Sequence, residues 1–224
     1  MLFRSELVRD TARVMGRMVH GAVIRTYAQE DVEEFAAYAR IPTINALTDD
    51  EHPCQILSDI FTYEEKRGPI RGKRVAFIGD AACNVPRSWA AAAKIFGFHL
   101  ACAAPKEFRP PQTGKHVSWT LDPTEAAKGA DILYTDVWVS MGKEGEAATR
   151  EKAFSPYQIN RKLVGQAKPN VLVMHCLPAY RGKEITADVL EARAQDIFDQ
   201  AENRLHTQKG ILGWIVSKPL KKKG

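Results

Sequence analysis

No apolar run in the sequence approaches the ~20 residues that a membrane-spanning helix needs, so no membrane partner is expected. The opening residues, MLFRSELVRD, carry charge at positions 4, 6, 9 and 10, which leaves no room for the apolar core of a secretory signal. Arg4, Arg9, Arg13 and Arg17 resemble a mitochondrial leader in their basic character, but Glu6 and Asp10 argue against one. Cysteine is sparse. Cys54, Cys83, Cys102 and Cys176 form no C-x-x-C pair and no zinc-like spacing with histidine. A chain of 224 residues is large enough not to need disulfides, so free thiols in a reducing cytoplasm are expected. A basic-aromatic stripe is also missing. The net charge of +5 owes four of its charges to Lys218, Lys221, Lys222 and Lys223. A short basic tail over 218–224 is ordinarily solvated, the rest of the chain is nearly neutral, and no nucleic-acid partner is expected. There is no internal repeat and no low-complexity stretch beyond the lysines.

What the sequence does contain is alternation of helix and strand. Val8, Ala12, Met15 and Val19 recur at helical spacing within 5–19. A strand at 21–26, a helix at 31–39, a strand at 42–46 and a helix at 52–66 follow. The Gly- and Pro-containing stretch KRGPIRGK (66–73) reads as a boundary. The pattern then restarts, with strands at 75–79, 98–104, 117–121, 131–136 and 170–177. Helices are expected at 88–97, 123–130, 156–167 and 201–217. This β-α-β arithmetic predicts an α/β fold of two lobes, each a parallel sheet flanked by helices.

In open α/β sheets, ligands bind beyond the C-terminal ends of the strands. The residues that follow each strand are therefore the informative ones. The strand at 21–26 ends on Arg25, and His52, Cys54 and Gln55 open the helix after 42–46. Asp80, Cys83 and Asn84 follow 75–79, while Asp136, Ser140 and Met141 follow 131–135. His175, Cys176 and Leu177 follow 170–174, and the closing helix begins Ala201, Glu202, Asn203, Arg204. Taken singly, each has a plain structural explanation. A strand-end arginine is usually a surface charge, His-Pro favours a helix start, and a lone cysteine is usually a small buried hydrophobe. GDAACN lacks the later glycines of a dinucleotide fingerprint, which argues against a nicotinamide site. Together, polar and reactive residues gather at the same end of five strands.

HPCQ, DVWVSMG, HCLPA and AENR occur in this order, and FDQAENRLHTQKGIL extends the last of them into a long run. With ELVRDTARVMGRMV near the start, these segments resemble the ornithine carbamoyltransferase family, from about Glu6 to about Trp214. That resemblance implies transfer of a carbamoyl group from carbamoyl phosphate to the side-chain amine of L-ornithine, giving L-citrulline and phosphate in arginine metabolism. It implies that Arg25 and His52 direct donors at the carbonyl oxygen, each worth roughly 3–4 kcal/mol. Gln55 would bind the carbamoyl amide with backbone carbonyls near Cys176 and Leu177, and Arg204 would sit at the same end. His52 and Gln55, three apart, share a helix face. Asp136 and Ser140 would hold the α-ammonium of ornithine, and Asn84 and the Met141 backbone its carboxylate. Asp136 and Cys176 would lie near the attacking amine, with Cys176 acting by position and electrostatics rather than covalently. No metal and no organic cofactor is implied, and the family assembly is a homotrimer.

By the same resemblance, residues 1–67 are the remainder of a carbamoyl-phosphate lobe, 68–200 an ornithine lobe, and 201–217 a helix closing onto the first. Two departures stand out. No Ser-Thr-Arg-Thr-Arg phosphate clamp occurs, so the first lobe reads as incomplete and the chain as truncated, exposing apolar surface and lacking most trimer contacts. Hydrogen bonds to charged groups contribute about 1.5–3 kcal/mol each. Four fewer would cost about 6 kcal/mol, or over ten-thousandfold in affinity, so the isolated chain is expected to be weak or inactive. Locally, Cys83 stands where an asparagine is usual, and Pro86 and Arg87 replace small or polar residues. The alternatives are a carbamoyltransferase acting on putrescine or another amine, and a non-catalytic amino-acid-binding remnant.

Overall fold

Two parallel sheets of unequal size organise the computed structural model, which describes residues 6–139 and 144–217. The smaller pairs β1 (Ala22–Arg25) with β2 (Thr43–Leu47), in register from Ala22 opposite Thr43. Helix α1 (Val8–Met18) lies against α2 (Gln29–Ala39), and Ala12, Phe35 and Ala39 form the small core between them. The two helices approach so closely that a Cβ on Gly16 would overlap the Ala39 carbonyl.

The larger sheet has five strands, β3 (Arg74–Ile78), β4 (His99–Ala103), β5 (Val117–Thr120), β6 (Ile132–Thr135) and β7 (Leu172–His175), in the spatial order β5-β4-β3-β6-β7. The order reverses between β3 and β6, and at such a switch point the loops part to leave a crevice beyond the strand ends. Both faces are covered, as a parallel sheet requires. Val75, Phe77, Leu100 and Cys102 point to one core, whereas Ala76, Ile78, Ala101 and Ala103 point to the other. This is period-2 alternation. Trp89 from α4 (Asn84–Phe96) fills the first core, edge-on to Phe98 and Tyr134.

Helix α3 (Pro53–Arg67) bridges the two sheets, and Ile56, Ile60 and Tyr63 on its buried face join the core of the larger one. The long helix α9 (Ala194–Ser217) packs back along it. The contact is unusually polar. Asn203 donates to Thr62 Oγ1 at 3.1 Å and to Glu65 at 3.0 Å, and Lys66 pairs with Asp196 and Asp199. Helix α9 begins at Ala194, seven residues before the start expected from the sequence. The remaining helices are α5 (Pro123–Ala127), α6 (Ala147–Phe154), α7 (Arg161–Val164) and α8 (Ala187–Ala192).

The helix expected over 156–167 shrinks to α7, because Ile159 N–H is drawn to Glu184 O at 2.8 Å and Asn160 then caps Leu163 N–H at 3.0 Å. Helix α6, on the other hand, was not anticipated. Among the described residues, no helix is long and apolar enough to cross a membrane.

Candidate active site

The C-terminal ends of both sheets face one cleft of about 700 Å³, lined by Arg25, His52, Asn84, Asp136, Cys176, Leu177 and Arg204, with Tyr27, Val139 and Tyr180 at its walls. Seven of the residues singled out from the sequence therefore meet, although they come from elements up to 179 positions apart (Arg25 and Arg204). Ser140 and Met141 lie outside the described residues. Gln55 lies behind the cleft surface, 1% exposed.

Each side chain is held by local structure. Arg25 ends β1 and is exposed. His52 caps α3 ahead of Pro53, and its backbone N–H donates to Ser88 Oγ on α4 at 2.8 Å. Ser88 in turn donates to Glu51 at 2.6 Å, so the start of α3 is tied to the larger sheet's first helix. Asn84 opens α4, and one proton of its amide is engaged by Thr48 O at 2.7 Å, drawing the loops after β2 and β3 together. The His52 imidazole is held down to about 4, first by burial and then by the charges of Arg204 and Arg25. It is neutral at pH 7, with one N–H to offer, and its Nδ1 is buried without a partner among the described residues.

Across the cleft, Cys176 Sγ–H donates to Asp136 Oδ1 at 3.0 Å, and the same oxygen accepts Val137 N–H at 2.7 Å. Burial pushes the Cys176 thiol well up, and the adjacent Asp136 carboxylate pushes it further. A thiolate is the nucleophilic form of cysteine, so this side chain is a hydrogen-bond donor rather than an attacking group. Burial also raises the Asp136 carboxyl. Leu177 sits at φ +58°, a region costly for a branched residue. It is pinned there because its N–H donates to His175 Nδ1 at 2.8 Å, which leaves His175 Nε2 to donate to the buried Glu184 at 3.2 Å. Arg87, which stands where a small or polar residue is usual, pairs with Asp50 and donates to Ala82 O at 3.0 Å. Cys83 donates to Asp80 O at 3.2 Å.

Residues that sequence reasoning passed over support this arrangement from behind. Asp59 lies one helical turn beyond Gln55, a spacing that places it on the same face, and that signal was available. Arg150 gave no signal, yet it is 5% exposed, donates from Nε to Trp138 O at 2.6 Å and pairs with Asp80. It thereby joins the loops on either side of the switch point.

Chemically, the cleft offers two guanidinium groups and a neutral imidazole near a carboxylate and a protonated thiol. Such a set suits a substrate that carries negative charge and develops more at an oxygen, together with a second substrate that carries an amine. Comparison with known proteins agrees. Residues 71–215 match the family model described as the aspartate/ornithine carbamoyltransferase Asp/Orn binding domain, and residues 2–65 match its carbamoyl-P binding domain. The ornithine carbamoyltransferase of Akkermansia muciniphila is 56% identical, over 96% of this chain and 73% of the relative. That of Syntrophus aciditrophicus is 49% identical, over 96% of this chain and 74% of the relative. Among solved structures, the ornithine carbamoyltransferase from Pyrococcus furiosus aligns with a TM-score of 0.87 at 43% identity, covering 95% of this chain and 71% of that one. The anabolic enzyme from Campylobacter jejuni aligns with a TM-score of 0.91 at 38% identity, covering 98% and 76%. With two adjoining family domains and relatives matched over nearly three quarters of their length, the chain belongs to the aspartate/ornithine carbamoyltransferase family.

Proposed function

We propose that the chain catalyses transfer of the carbamoyl group of carbamoyl phosphate to the side-chain amine of L-ornithine, forming L-citrulline and phosphate. The observation that carries this reading is the single cleft in which Arg25, His52 and Arg204 face Asp136 and Cys176. The amine nitrogen bonds to the carbamoyl carbon, the bond from that carbon to the phosphate oxygen breaks, and phosphate leaves with the electron pair as the amine loses a proton. Negative charge gathers on the carbonyl oxygen as the amine attacks. Arg25 and the neutral His52 N–H are the donors assigned to it, in a partly desolvated site where such donors act strongly. Gln55 and the backbone at Cys176 and Leu177 receive the carbamoyl N–H groups.

Asp136 attracts the amine, and its hydrogen bond from Cys176 keeps the carboxylate aimed across the cleft. Asn84 with the Met141 backbone takes the α-carboxylate, and Ser140 with Asp136 the α-ammonium. The lobe division at residues 67 and 68, a cytoplasmic setting, a place in arginine biosynthesis and a homotrimeric assembly belong to the same reading and rest on the family likeness. The test is formation of labelled citrulline from labelled carbamoyl phosphate at saturating concentration, with ornithine or putrescine as acceptor. Citrulline that disappears in Asp136→Asn supports the reading. A carbamoylated product from putrescine but not from ornithine, or neither product together with no thermal shift by ornithine, refutes it.

A further inference from the structure

Asp59 has no part in the roles above, yet it is 0% exposed and sits directly beneath the residues assigned to the carbamoyl group. Its Oδ1 accepts from Gln55 Nε2 at 2.8 Å and from Gln200 Nε2 at 2.7 Å, and its Oδ2 accepts from Tyr134 Oη at 2.8 Å. All three neighbours donate, so the carboxylate serves purely as an acceptor. A primary amide has one oxygen and one nitrogen, and turning the nitrogen toward Asp59 turns the oxygen away. The two glutamines use that oxygen differently. Gln200 Oε1 accepts the backbone N–H of His175 at 2.9 Å, at the root of the Cys176–Leu177 turn. Gln55 Oε1 is buried and has no partner among the described residues, an expensive state for a polar atom unless a ligand completes it.

We propose that Asp59 is a positioning residue for recognition of the carbamoyl amide. By holding both glutamine nitrogens toward itself, it presents Gln55 Oε1 as an acceptor and anchors the backbone that carries the Cys176 and Leu177 carbonyls. The inference rests on the carbamoyl-transfer reading. A carbamoyl NH2 brings two protons that both need acceptors. A flipped Gln55 would oppose donor to donor, and a loosened Gln200 would release the turn that bears the other acceptors.

Burial pushes Asp59 up to about 6, while hydrogen bonds from Gln200, Tyr134 and Gln55 and the charge of Arg204 pull it down. These four come from α3, β6 and α9, with Arg204 the full charge among them, and beyond β7 the Cys176 thiol also faces Asp59, whose charge helps to push it up. On acidification the carboxyl acquires a proton that Tyr134 Oη, 2.8 Å from Oδ2, accepts once its own hydroxyl turns, so both amides keep their orientation.

Acetyl phosphate replaces the NH2 of carbamoyl phosphate by a methyl group and keeps everything else. The ratio of their dissociation constants on the 224-residue chain therefore reports the amide contacts alone and cancels the ionisation of the phosphate. The wild-type chain should prefer carbamoyl phosphate, and Asp59→Ala should lower that preference about tenfold, the loss of about one hydrogen bond. Asp59→Asn, with its oxygen toward the glutamines and its nitrogen toward Tyr134, should restore most of it. Tyr134→Phe removes a donor from the same carboxylate without freeing either amide, so it should lower Tm and leave the ratio unchanged.

A second arm needs no variant. The side-chain NH2 signals of Gln55 and Gln200 in 15N spectra should move with the Asp59 titration, because the oxygen that accepts from both loses its charge. A preference unchanged in Asp59→Ala, or NH2 signals that ignore the Asp59 titration, overturns the positioning role while leaving the pocket reading intact. A wild-type chain that does not distinguish the two phosphates sinks the carbamoyl reading, and the inference with it.

Discussion

Replacing Arg150 by methionine keeps most of the aliphatic stem and removes the charge that joins the two loops at the switch point. In the wild-type chain the guanidinium is 6% exposed, lies 4.8 Å from the Phe108 ring centroid and 5.3 Å from that of Phe154, and pairs with an Asp80 carboxylate that is 11% exposed. Arg150→Met leaves Asp80 buried without its counter-charge and leaves Trp138 O without its donor. Orphaning one member of a buried pair costs about 3–5 kcal/mol, a large share of the ~5–15 kcal/mol available to a folded domain. Asp80→Asn is expected to cost less, because Glu146 remains 3.6 Å from the same guanidinium. Removing both charges avoids the orphan, so the double variant should be more stable than Arg150→Met by about 2 kcal/mol.

The assay is urea unfolding of the four proteins by tryptophan fluorescence, which Trp138 makes sensitive to this region. A coupling energy of at least about 2 kcal/mol is expected for charges in direct contact. If the single-variant effects simply add, to within about 0.5 kcal/mol, the pair is screened by solvent and does not join the loops.

Three further outcomes follow from the geometry. His52, held down to about 4, makes the native chain lose stability relative to the unfolded one as pH falls from about 6.5 to about 4. The unfolded chain takes up the proton first, at up to about 3 kcal/mol. Asp59, pushed up to about 6, acts in the opposite sense over nearly the same window. His52→Asn, which keeps a good helix cap, should therefore turn a nearly level Tm between pH 4 and 6 into one that rises on acidification; an unchanged profile would contradict the buried neutral imidazole. Gly16→Ala gains helix propensity but meets the Ala39 carbonyl, and a net loss of about 1–3 kcal/mol is expected; a gain in Tm would mean the two helices part freely. Cys176 should alkylate more slowly than a free thiol at pH 7 and faster in Asp136→Asn, where the charge that raises it is gone. Mass spectrometry of the labelled chain reads both rates, and equal rates would show that Asp136 does not hold the thiol.

Much of the site was legible because it is local. Strand ends announce themselves through apolar runs that stop at polar residues, and HPCQ and HCLPA each follow one such end, whereas AENR lies inside α9. Where local preference and tertiary demand disagreed, the sequence misled. The stretch 156–167 has helical composition, but Ile159 is needed to pair beside Ile185, so only Arg161–Val164 winds into helix. Helix α6, with little amphipathic pattern, forms because Arg150 and Phe154 are both buried by the loops around them.

The sequence by itself determined the α/β class, the parallel alternation and the identity of the residues at the strand ends, since these depend on periodicity and on neighbours within a few positions. Only the tertiary structure decided that Gln200 turns its amide nitrogen toward Asp59 and its oxygen away, and that Asp80 and Arg150 neutralise each other. Those contacts span 141 and 70 residues. Burial, which sets the protonation of His52, Asp59 and Cys176, is likewise a property of the packed molecule and of no single stretch of chain.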